Sequence, residues 1–469
     1  MNLAWSYDFG RGVPKDQVRA AKWYRVAAQK GNIDAEYNLG LAYAKGDGVP
    51  RDPAQAVDWY RRAAHHGHVG AELNLAIAYG EGIGVKQNDV RYLYWLRKAA
   101  VRNDRIAEYD LGHAYAFGQG VPQDARKAVY WFLLAAQQGE PDAEHNLAYC
   151  YETGFGVKRD YRQMIYWYQI SADQGDPDSE YSLAAAYLGG RGVRQDYNRA
   201  WYWARKAARQ NNISAINLIG ILYSKGEGVP KNESLGFQWY RRAADWGNPI
   251  AEENVAFDYF NGQGIKQNYQ RAAYWFGRCA SHGVRKCEDN YGYEFDNGKG
   301  MRRNYARALY WYRKAAAHGS LYALNNLGNL YAKGHGMPRN YRQAVVLYHQ
   351  CAIKGLKYCQ YHLGHLYERG LGVLRDPVRA AKLYREAASR HLVRAELALF
   401  RLYISGDGLK RNPMKAVIWL RQARLDSGIY AESPHNTAKK IKKIMSNLSP
   451  ADRATVERIL HKMQPAHSP

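Results

Sequence analysis

Cysteine, acidic side chains, long apolar runs and the motifs of common enzymes are all scarce in this 469-residue sequence. No run approaches the roughly 18 consecutive apolar residues of a membrane span, so no transmembrane helix is predicted. Neither Ser-x-x-Lys nor Gly-x-Ser-x-Gly occurs, which removes the usual markers of serine acyl-enzyme chemistry. No glycine-rich turn continues into Lys-Ser or Lys-Thr, so a phosphate-binding loop is not indicated. We therefore expect no catalytic residue and no cofactor, and predict that the protein is not an enzyme.

A cluster of histidines does not change this expectation. His65, His66 and His68 lie close together, but they end a predicted helix and continue into a turn. Because helix-borne metal ligands normally project from one face, we predict no metal site.

The shortage of acidic residues gives the protein a strongly basic surface. Lysine and arginine number 67 against 43 aspartates and glutamates, for a formal charge of +24. Such a surface attracts anionic glycans, anionic lipids, acidic proteins or nucleic acid. No recognition motif for nucleic acid accompanies the charge, so nucleic acid is not an expected partner.

A Gly-x-Gly pair recurs every 36 residues and sets the phase of the whole chain. Fixed self-similarity at this period indicates a stacked-repeat architecture. The first glycine of the pair is found at Gly10, Gly46, Gly82, Gly118, Gly154, Gly190, Gly226, Gly262, Gly298, Gly334, Gly370 and Gly406.

The unit from residue 35 to residue 67 predicts a helical hairpin. Ala35, Leu39 and Tyr43 form one apolar helical stripe, which the Gly-x-Gly turn ends. Asp52 then caps a second helix with Pro53 at its first position. The second stripe contains a tryptophan position that we assign to packing between units. It comprises Trp59, Trp95, Trp131, Trp167, Trp203, Trp239, Trp275 and Trp311, with Leu347 and Leu383 in its place later.

The unit reads Ala-x3-Leu-Gly-x2-Tyr-x2-Gly-x-Gly-Val-x2-Asp-x3-Ala-x2-Trp-Tyr-x2-Ala-Ala-x2-Gly. This pattern resembles the Sel1-like repeat, a relative of the tetratricopeptide repeat. The resemblance implies an all-α fold, a right-handed α/α superhelix of 36-residue hairpins. It also implies an adaptor or scaffold that binds other proteins, in some members in the bacterial envelope or in secreted form.

The repeat pattern predicts two domains. The solenoid covers residues 1–426, about eleven full repeats plus an initial half, and residues 427–469 form a C-terminal helical cap. Leu3, Ala4 and Tyr7 match Leu39, Gly40 and Tyr43, so the chain begins within a repeat. We infer that upstream sequence is missing, and a signal peptide is one form that it could take.

Four of the five cysteines follow the repeat. Cys279 and Cys287 replace two alanines of the unit, and Cys351 and Cys359 replace the same two, which gives Cys-x7-Cys twice. One interpretation is a disulfide across the seam between hairpins; the other is a small buried residue. The pattern resembles the secreted, cysteine-rich branch of the family, which implies disulfides and an extracytoplasmic location, periplasmic or secreted. Without disulfides a cytoplasmic location is expected. Cys150 has no partner by pattern.

In the related tetratricopeptide fold, the first helix of each hairpin lines a concave groove. By this resemblance the groove carries asparagines that could hold a peptide backbone, although each could instead bond its own helix. The predicted partner-binding residues are Asn38, Asn74, Asn146, Asn254, Asn290, Asn326, Tyr37, Tyr109, Tyr149, Tyr181 and Tyr361. A row of glutamates at the start of these helices, from Glu36 to Glu396, is assigned to the helix dipole.

Basic residues follow the Gly-x-Gly turns and predict a basic ridge. It comprises Arg51, Lys158, Arg159, Arg302, Arg303, Arg339, Arg375 and Arg411. A solvated face and a site for anionic lipid or glycan are both open interpretations. The leading functional hypothesis is a protein-protein interaction scaffold that binds a partner segment in the groove. The alternatives are a glycan or lipid binder that uses the basic ridge, and an enzyme or enzyme regulator of the cell envelope.

Overall fold

The computed structural model describes residues 1–429 and 433–463, and these contain twenty-six α-helices and no strand. The predicted all-α solenoid of helical hairpins is confirmed. The helices divide into two compact units, Met1–Asn232 and Glu233–Pro469. No helix among the described residues combines the length and apolarity needed to cross a bilayer.

In the first unit, first and second helices of the hairpins alternate along the chain. The first helices are α1 (Asn2–Phe9), α3 (Ile33–Lys45), α5 (Val69–Glu81), α7 (Arg105–Phe117), α9 (Pro141–Thr153), α11 (Pro177–Gly189) and α13 (Ile213–Lys225). The second helices are α2 (Gln17–Gln29), α4 (Pro53–His65), α6 (Asp89–Val101), α8 (Ala125–Gln137), α10 (Tyr161–Asp173) and α12 (Tyr197–Arg209).

The second unit continues the alternation and adds two terminal helices. Its second helices are α14 (Glu233–Asp245), α16 (Tyr269–Ser281), α18 (Tyr305–Ala317), α20 (Tyr341–Ala352), α22 (Pro377–Ala388) and α24 (Pro413–Asp426). Its first helices are α15 (Pro249–Asn261), α17 (Arg285–Asn297), α19 (Leu321–Lys333), α21 (Lys357–Arg369) and α23 (Val393–Ser405), and the terminal pair is α25 (Pro434–Ser446) and α26 (Pro450–Lys462).

Side-chain caps explain where the second helices begin. The Asp52 carboxylate accepts hydrogen bonds from the amides of Ala54 at 3.0 Å and Gln55 at 3.1 Å, and Pro53 occupies the first turn. These bonds satisfy amides that have no partner within the helix. The predicted cap is therefore confirmed.

The two glycines of each turn have different physical roles. Gly46 ends α3 with φ +86°, where its amide donates to the carbonyl of Ala42. Gly48 also has a positive φ, but a Cβ atom there would lie 2.0 Å from the carbonyl oxygen of Gln17 in the preceding hairpin. The first glycine therefore permits the left-handed turn, and the second also permits close stacking of repeats.

The core of each unit consists of clusters of small, aliphatic and aromatic residues. Alanines such as Ala63 and Ala64 are fully buried, which lets neighbouring helices approach closely. The tryptophan position packs as predicted, with Trp95, Trp203 and Trp275 buried.

Both predicted disulfides are present in the second unit. Cys279 in α16 bonds Cys287 in α17 with Cα atoms 5.7 Å apart, and Cys351 in α20 bonds Cys359 in α21 at 5.9 Å. Each bond joins the second helix of one hairpin to the first helix of the next. Cys150 is a buried free cysteine, as predicted.

The terminal helices pack on the last hairpin. Val456 of α26 is fully buried and Ile441 of α25 nearly so, in one core cluster with Leu420 of α24. This packing agrees with a cap over the end of the solenoid, and the capping role and the 426/427 boundary stay predictions. Residues 430–432 and 464–469 of the predicted cap lie outside the described residues.

Candidate functional site

The predicted groove residues of the first unit form tyrosine-asparagine pairs between successive first helices. Tyr37 of α3 lies close to Asn74 of α5, and Tyr109 of α7 lies close to Asn146 of α9. Burial raises the pKa of both tyrosines, and the neighbouring asparagine amides offset part of the rise. We call this series, together with the half-buried Asn38, the Tyr-Asn row.

The remaining groove residues are less uniform. In the second unit, Asn290 donates to the carbonyl of Lys286 in its own helix at 2.7 Å, which matches the alternative interpretation of these asparagines. Asn326 Oδ1 instead accepts from the side-chain amide of Asn325 at 3.3 Å, and Asn254 is half-buried in α15. In the first unit Tyr149 is 52% exposed and Tyr181 is half-buried. The predicted groove residues thus include both packed and solvent-accessible side chains.

Tyr361 of α21 lines a cavity of about 800 Å³. The cavity lies between the first helices α21 and α23 and the terminal helices α25 and α26. Four basic side chains line the same cavity, Arg394 and Arg401 from α23 and Lys440 and Lys443 from α25. Lys440 is half-buried, because α25 packs across α23 and α24.

The glutamate row is buried and links successive repeats, a role that differs from the predicted helix-dipole role. Glu144 is 1% exposed and accepts hydrogen bonds at 2.9 and 2.8 Å from Gln174, thirty residues further along the chain. Burial raises the pKa of Glu144 to about 7. A buried carboxylate needs a donor, and the next hairpin supplies it. Equivalent links join Glu36 to His66, Glu108 to Gln138, Glu180 to Gln210, Glu252 to His282 and Glu288 to His318.

The last member of the glutamate row faces an acid. Glu396 in α23 is fully buried, and the residue thirty positions later is Asp426 at the end of α24. His391 Nδ1 lies 2.9 Å from Oδ2 of Asp426. Burial and the neighbouring Asp426 carboxylate raise the pKa of Glu396 to about 9. This arrangement is absent from the linked pairs named above, in which the partner is an amide or a histidine.

His65, His66 and His68 each contact a different group. His66 contacts Glu36 through Nδ1 at 3.1 Å, while His65 Nδ1 contacts its own helix at the Arg61 carbonyl. His68 caps α5 and stacks on Tyr37 with ring centroids 4.2 Å apart.

Arginines of the basic ridge serve the ends of the first helices. Arg51 Nε donates to the carbonyl of Ala44 at 3.1 Å, and Arg159 donates to that of Thr153 at 3.2 Å. Gln123 makes the same bond at its equivalent position, to Ala116 at 2.8 Å. Because an uncharged amide can replace the guanidinium, the position needs a long donor for orphan carbonyls and not a charge. Arg303, Arg375 and Arg411 make equivalent bonds in the second unit.

A row of exposed tyrosines on the second helices was missed by sequence reasoning. Each packs edge-on against the tryptophan that follows it, as Tyr166 does on Trp167 at 5.0 Å between ring centroids. We call these residues the outer tyrosine row: Tyr94, Tyr130, Tyr166 and Tyr202 in the first unit, and Tyr274 and Tyr310 in the second. The recurrent Tyr-Trp dipeptide was the available signal, since its tyrosine lies opposite the buried stripe.

Paired helices stacked at a fixed period, with glycine turns and alanine seams, define the class of α/α repeat proteins. Within that class the chain belongs to the Sel1 repeat family. Twelve consecutive segments match the Sel1 repeat, namely residues 1–32, 33–68, 69–104, 105–140, 141–176, 177–212, 213–248, 249–284, 286–320, 321–356, 357–391 and 393–425. This fold is generally a non-catalytic scaffold that mediates protein interactions.

Two solved structures are similar over long stretches. One is c5321, a protective antigen present in uropathogenic Escherichia coli strains, with 28% identity and a TM-score of 0.76. The match covers 96% of this chain and 98% of that chain. The other is a Sel1 repeat protein from Oxalobacter formigenes, with 29% identity and a TM-score of 0.54. That match covers 66% of this chain and 89% of the Oxalobacter protein. No sequence among curated proteins matches this chain.

Proposed function

We propose that this protein is a non-enzymatic scaffold that acts outside the cytoplasm and binds a segment of a partner protein along its first helices. The observation that supports the proposal is the Tyr-Asn row, in which side chains of successive first helices lie side by side. Tyr37 lies close to Asn74, and Tyr109 lies close to Asn146. Side chains ordered before binding lose little entropy when a partner arrives.

The chemistry of the row suits an extended peptide. An amide both donates and accepts, and tyrosine buries a large area with few rotatable bonds. Tyr149 is half exposed in the same helix as Asn146, so an apolar side chain of a partner could pack there. The groove residues are proposed as the binding site on this basis.

The hydrogen bonds of the basic ridge favour this proposal over an anionic glycan or lipid. Five ridge arginines, from Arg51 to Arg411, already donate to carbonyls at the ends of the first helices. Their charge remains, but part of their donor capacity is used within the fold. The affinity of the basic ridge for an anion would fall steeply as salt is added, whereas the affinity of the groove for a protein segment would fall much less. Turnover of any substrate that a groove substitution abolishes would support the alternative of an enzyme.

The disulfides support a location outside the cytoplasm. Cys279–Cys287 and Cys351–Cys359 form bonds of a kind that persists in oxidising compartments. The similar protein c5321 is a protective antigen, and exposure outside the cytoplasm would agree with that property. We propose a periplasmic or secreted protein on these grounds.

Site-specific photocrosslinking tests the proposed surface. A photoreactive phenylalanine analogue replaces Tyr149 on α9, or Tyr166 on α10 of the same hairpin as the matched control. The two tyrosines are similarly exposed, at 52% and 55%, but belong to different helix faces. We expect a partner protein to crosslink at position 149 and not at 166, to persist at 0.5 M salt, and to decline in Asn146→Ala.

Two results would argue against the groove. Equal crosslinking at both positions would show that the first helices are not the selective surface. Crosslinking that disappears with added salt would favour an electrostatic ridge site, provided that circular dichroism shows each variant to be folded.

A further inference from the structure

The end of the last repeat contains an acid where the other repeats supply a donor. Glu396 and Asp426 occupy the two positions that elsewhere hold a glutamate and its amide or histidine partner. Both side chains are buried, at 0% and 3% exposure. Two buried carboxyl groups in contact are costly unless a proton or a cation compensates their charge.

Existing partners do not satisfy this pair completely. Gln422 donates to Oδ1 of Asp426 at 2.8 Å, and His391 faces Oδ2. Neither carboxylate oxygen of Glu396 has a hydrogen-bond partner among the described residues. The nearby Lys357 ammonium donates to the carbonyls of Arg390 and His391 instead.

We propose that His391, Glu396 and Asp426 form a binding site for a divalent transition-metal cation, with Zn²⁺ as the preferred ion. One ligand atom from each residue lies within 4.8 Å of the others, the single such trio in residues 1–429 and 433–463. Ligands about 2.1 Å from a tetrahedral ion lie about 3.4 Å apart, so small side-chain rotations would close the site. The absence of a metal site expected from the sequence would then be wrong.

The donor set indicates the class of ion. One imidazole nitrogen and two carboxylate groups suit Zn²⁺, whereas Ca²⁺ requires six to eight oxygen ligands. The His391 side chain is 43% exposed, so an ion can enter from solvent and water can complete its coordination. The cation would join the turn before α23, α23 itself and the end of α24. It would thereby fix the end of the repeat region against the start of the terminal segment.

The other repeats provide the test variants. Asp426→Gln installs the glutamine found at the equivalent positions of Gln138, Gln174 and Gln210, so it should fold while removing a ligand. His391→Gly removes a second ligand at φ +59°, where glycine occupies equivalent turns. Glu288→Gln is the matched control, because Glu288 belongs to the same glutamate row but faces His318.

The experiment is calorimetric titration of Zn²⁺ into the full chain after treatment with EDTA and desalting. We expect one ion per chain, at least about tenfold weaker binding in Asp426→Gln and His391→Gly, and unchanged binding in Glu288→Gln. Zn²⁺ should raise the melting temperature of the unsubstituted protein and of Glu288→Gln, but not that of Asp426→Gln. Equal Zn²⁺ binding by Asp426→Gln and the unsubstituted protein, or no binding by either, would overturn the proposal. Tighter binding of Ca²⁺ than of Zn²⁺ would overturn the assignment of the ion.

Discussion

Replacing the second glycine of one turn should separate its stacking role from its conformational role. Gly156 has φ +70°, and a Cβ atom there would lie 2.1 Å from the carbonyl oxygen of Ala125 in the preceding hairpin. Gly139 is the matched control, with φ +76° and nothing within 4 Å of its added Cβ. Both Gly156→Ala and Gly139→Ala lose the left-handed freedom of glycine, but only the first also collides with backbone.

The expected magnitudes follow from these two terms. A left-handed alanine costs about 1–2 kcal/mol in either variant. Overpacking against immovable backbone adds about 1–3 kcal/mol for Gly156→Ala alone. The extra cost should appear at the interface between the turn and the beginning of α8 (Ala125–Gln137), since repeats in a solenoid contact mainly their neighbours.

Hydrogen exchange measured by mass spectrometry resolves this local effect. A solenoid can open in parts, so a global unfolding midpoint would not show where along the chain stability is lost. An additional 1–3 kcal/mol should speed exchange at the start of α8 by about 5- to 150-fold in Gly156→Ala relative to Gly139→Ala. Equal acceleration in the two variants would refute the stacking role and leave only the turn conformation as the reason for the second glycine.

Three further predictions concern the covalent, acidic and basic features of the repeats. Reducing both disulfides should destabilise the second unit by about 2.5 kcal/mol per bond, estimated from the short loop between Cys279 and Cys287. Thermal unfolding with and without reductant measures this loss. A variant with both Cys279→Ala and Cys287→Ala should lose only the stability that its own bond contributes. Burial raises the pKa of Glu294 from 4.5 to about 8, so unfolding free energy should fall as pH rises through that interval, because the unfolded chain ionises first. Glu294→Leu should reduce this dependence, measured by urea denaturation at pH 5 and 9, because buried carboxyl groups such as Glu144 and Glu396 keep their own share; an unchanged slope would contradict the prediction. Arg159→Gln should leave stability unchanged, because Gln123 makes a helix-end bond of this kind in another repeat. Arg159→Ala should lose about 1 kcal/mol of unfolding free energy, measured by urea denaturation. Equal losses in the two variants would show that the charge of Arg159 matters.

The local rules of the repeat could be predicted from the sequence because each depends on a few neighbouring residues. The 36-residue spacing predicted the hairpins, and the Asp-Pro pairs predicted where second helices begin. The joint change of two alanines to Cys279 and Cys287 predicted a bond whose partners are only eight residues apart. Contacts between residues this close in sequence can be recognised from their positions within the repeat.

Side-chain environments across repeats were decided by tertiary structure. The sequence assigned Glu144 to the helix dipole, and the structure shows that stacking of the next hairpin buries it and supplies Gln174 as its donor. The sequence left Arg159 either in a solvated basic face or at an anion site, and the structure shows that it reaches back to α9 and donates to a helix-end carbonyl. In each case the decisive partner belongs to another element, so the residue's own position could not reveal it.

The candidate sites show the same division. Sequence phase placed Asn74 and Asn146 on equivalent faces, and only the structure showed that they lie close to tyrosines of the preceding first helix. The meeting of Glu396 with Asp426 likewise depends on how the last hairpin closes. Sequence by itself determined the repeat, its helices and its crosslinks, because these are local. Tertiary structure decided which polar groups are buried and what faces them, because burial is set by the stacking of hairpins.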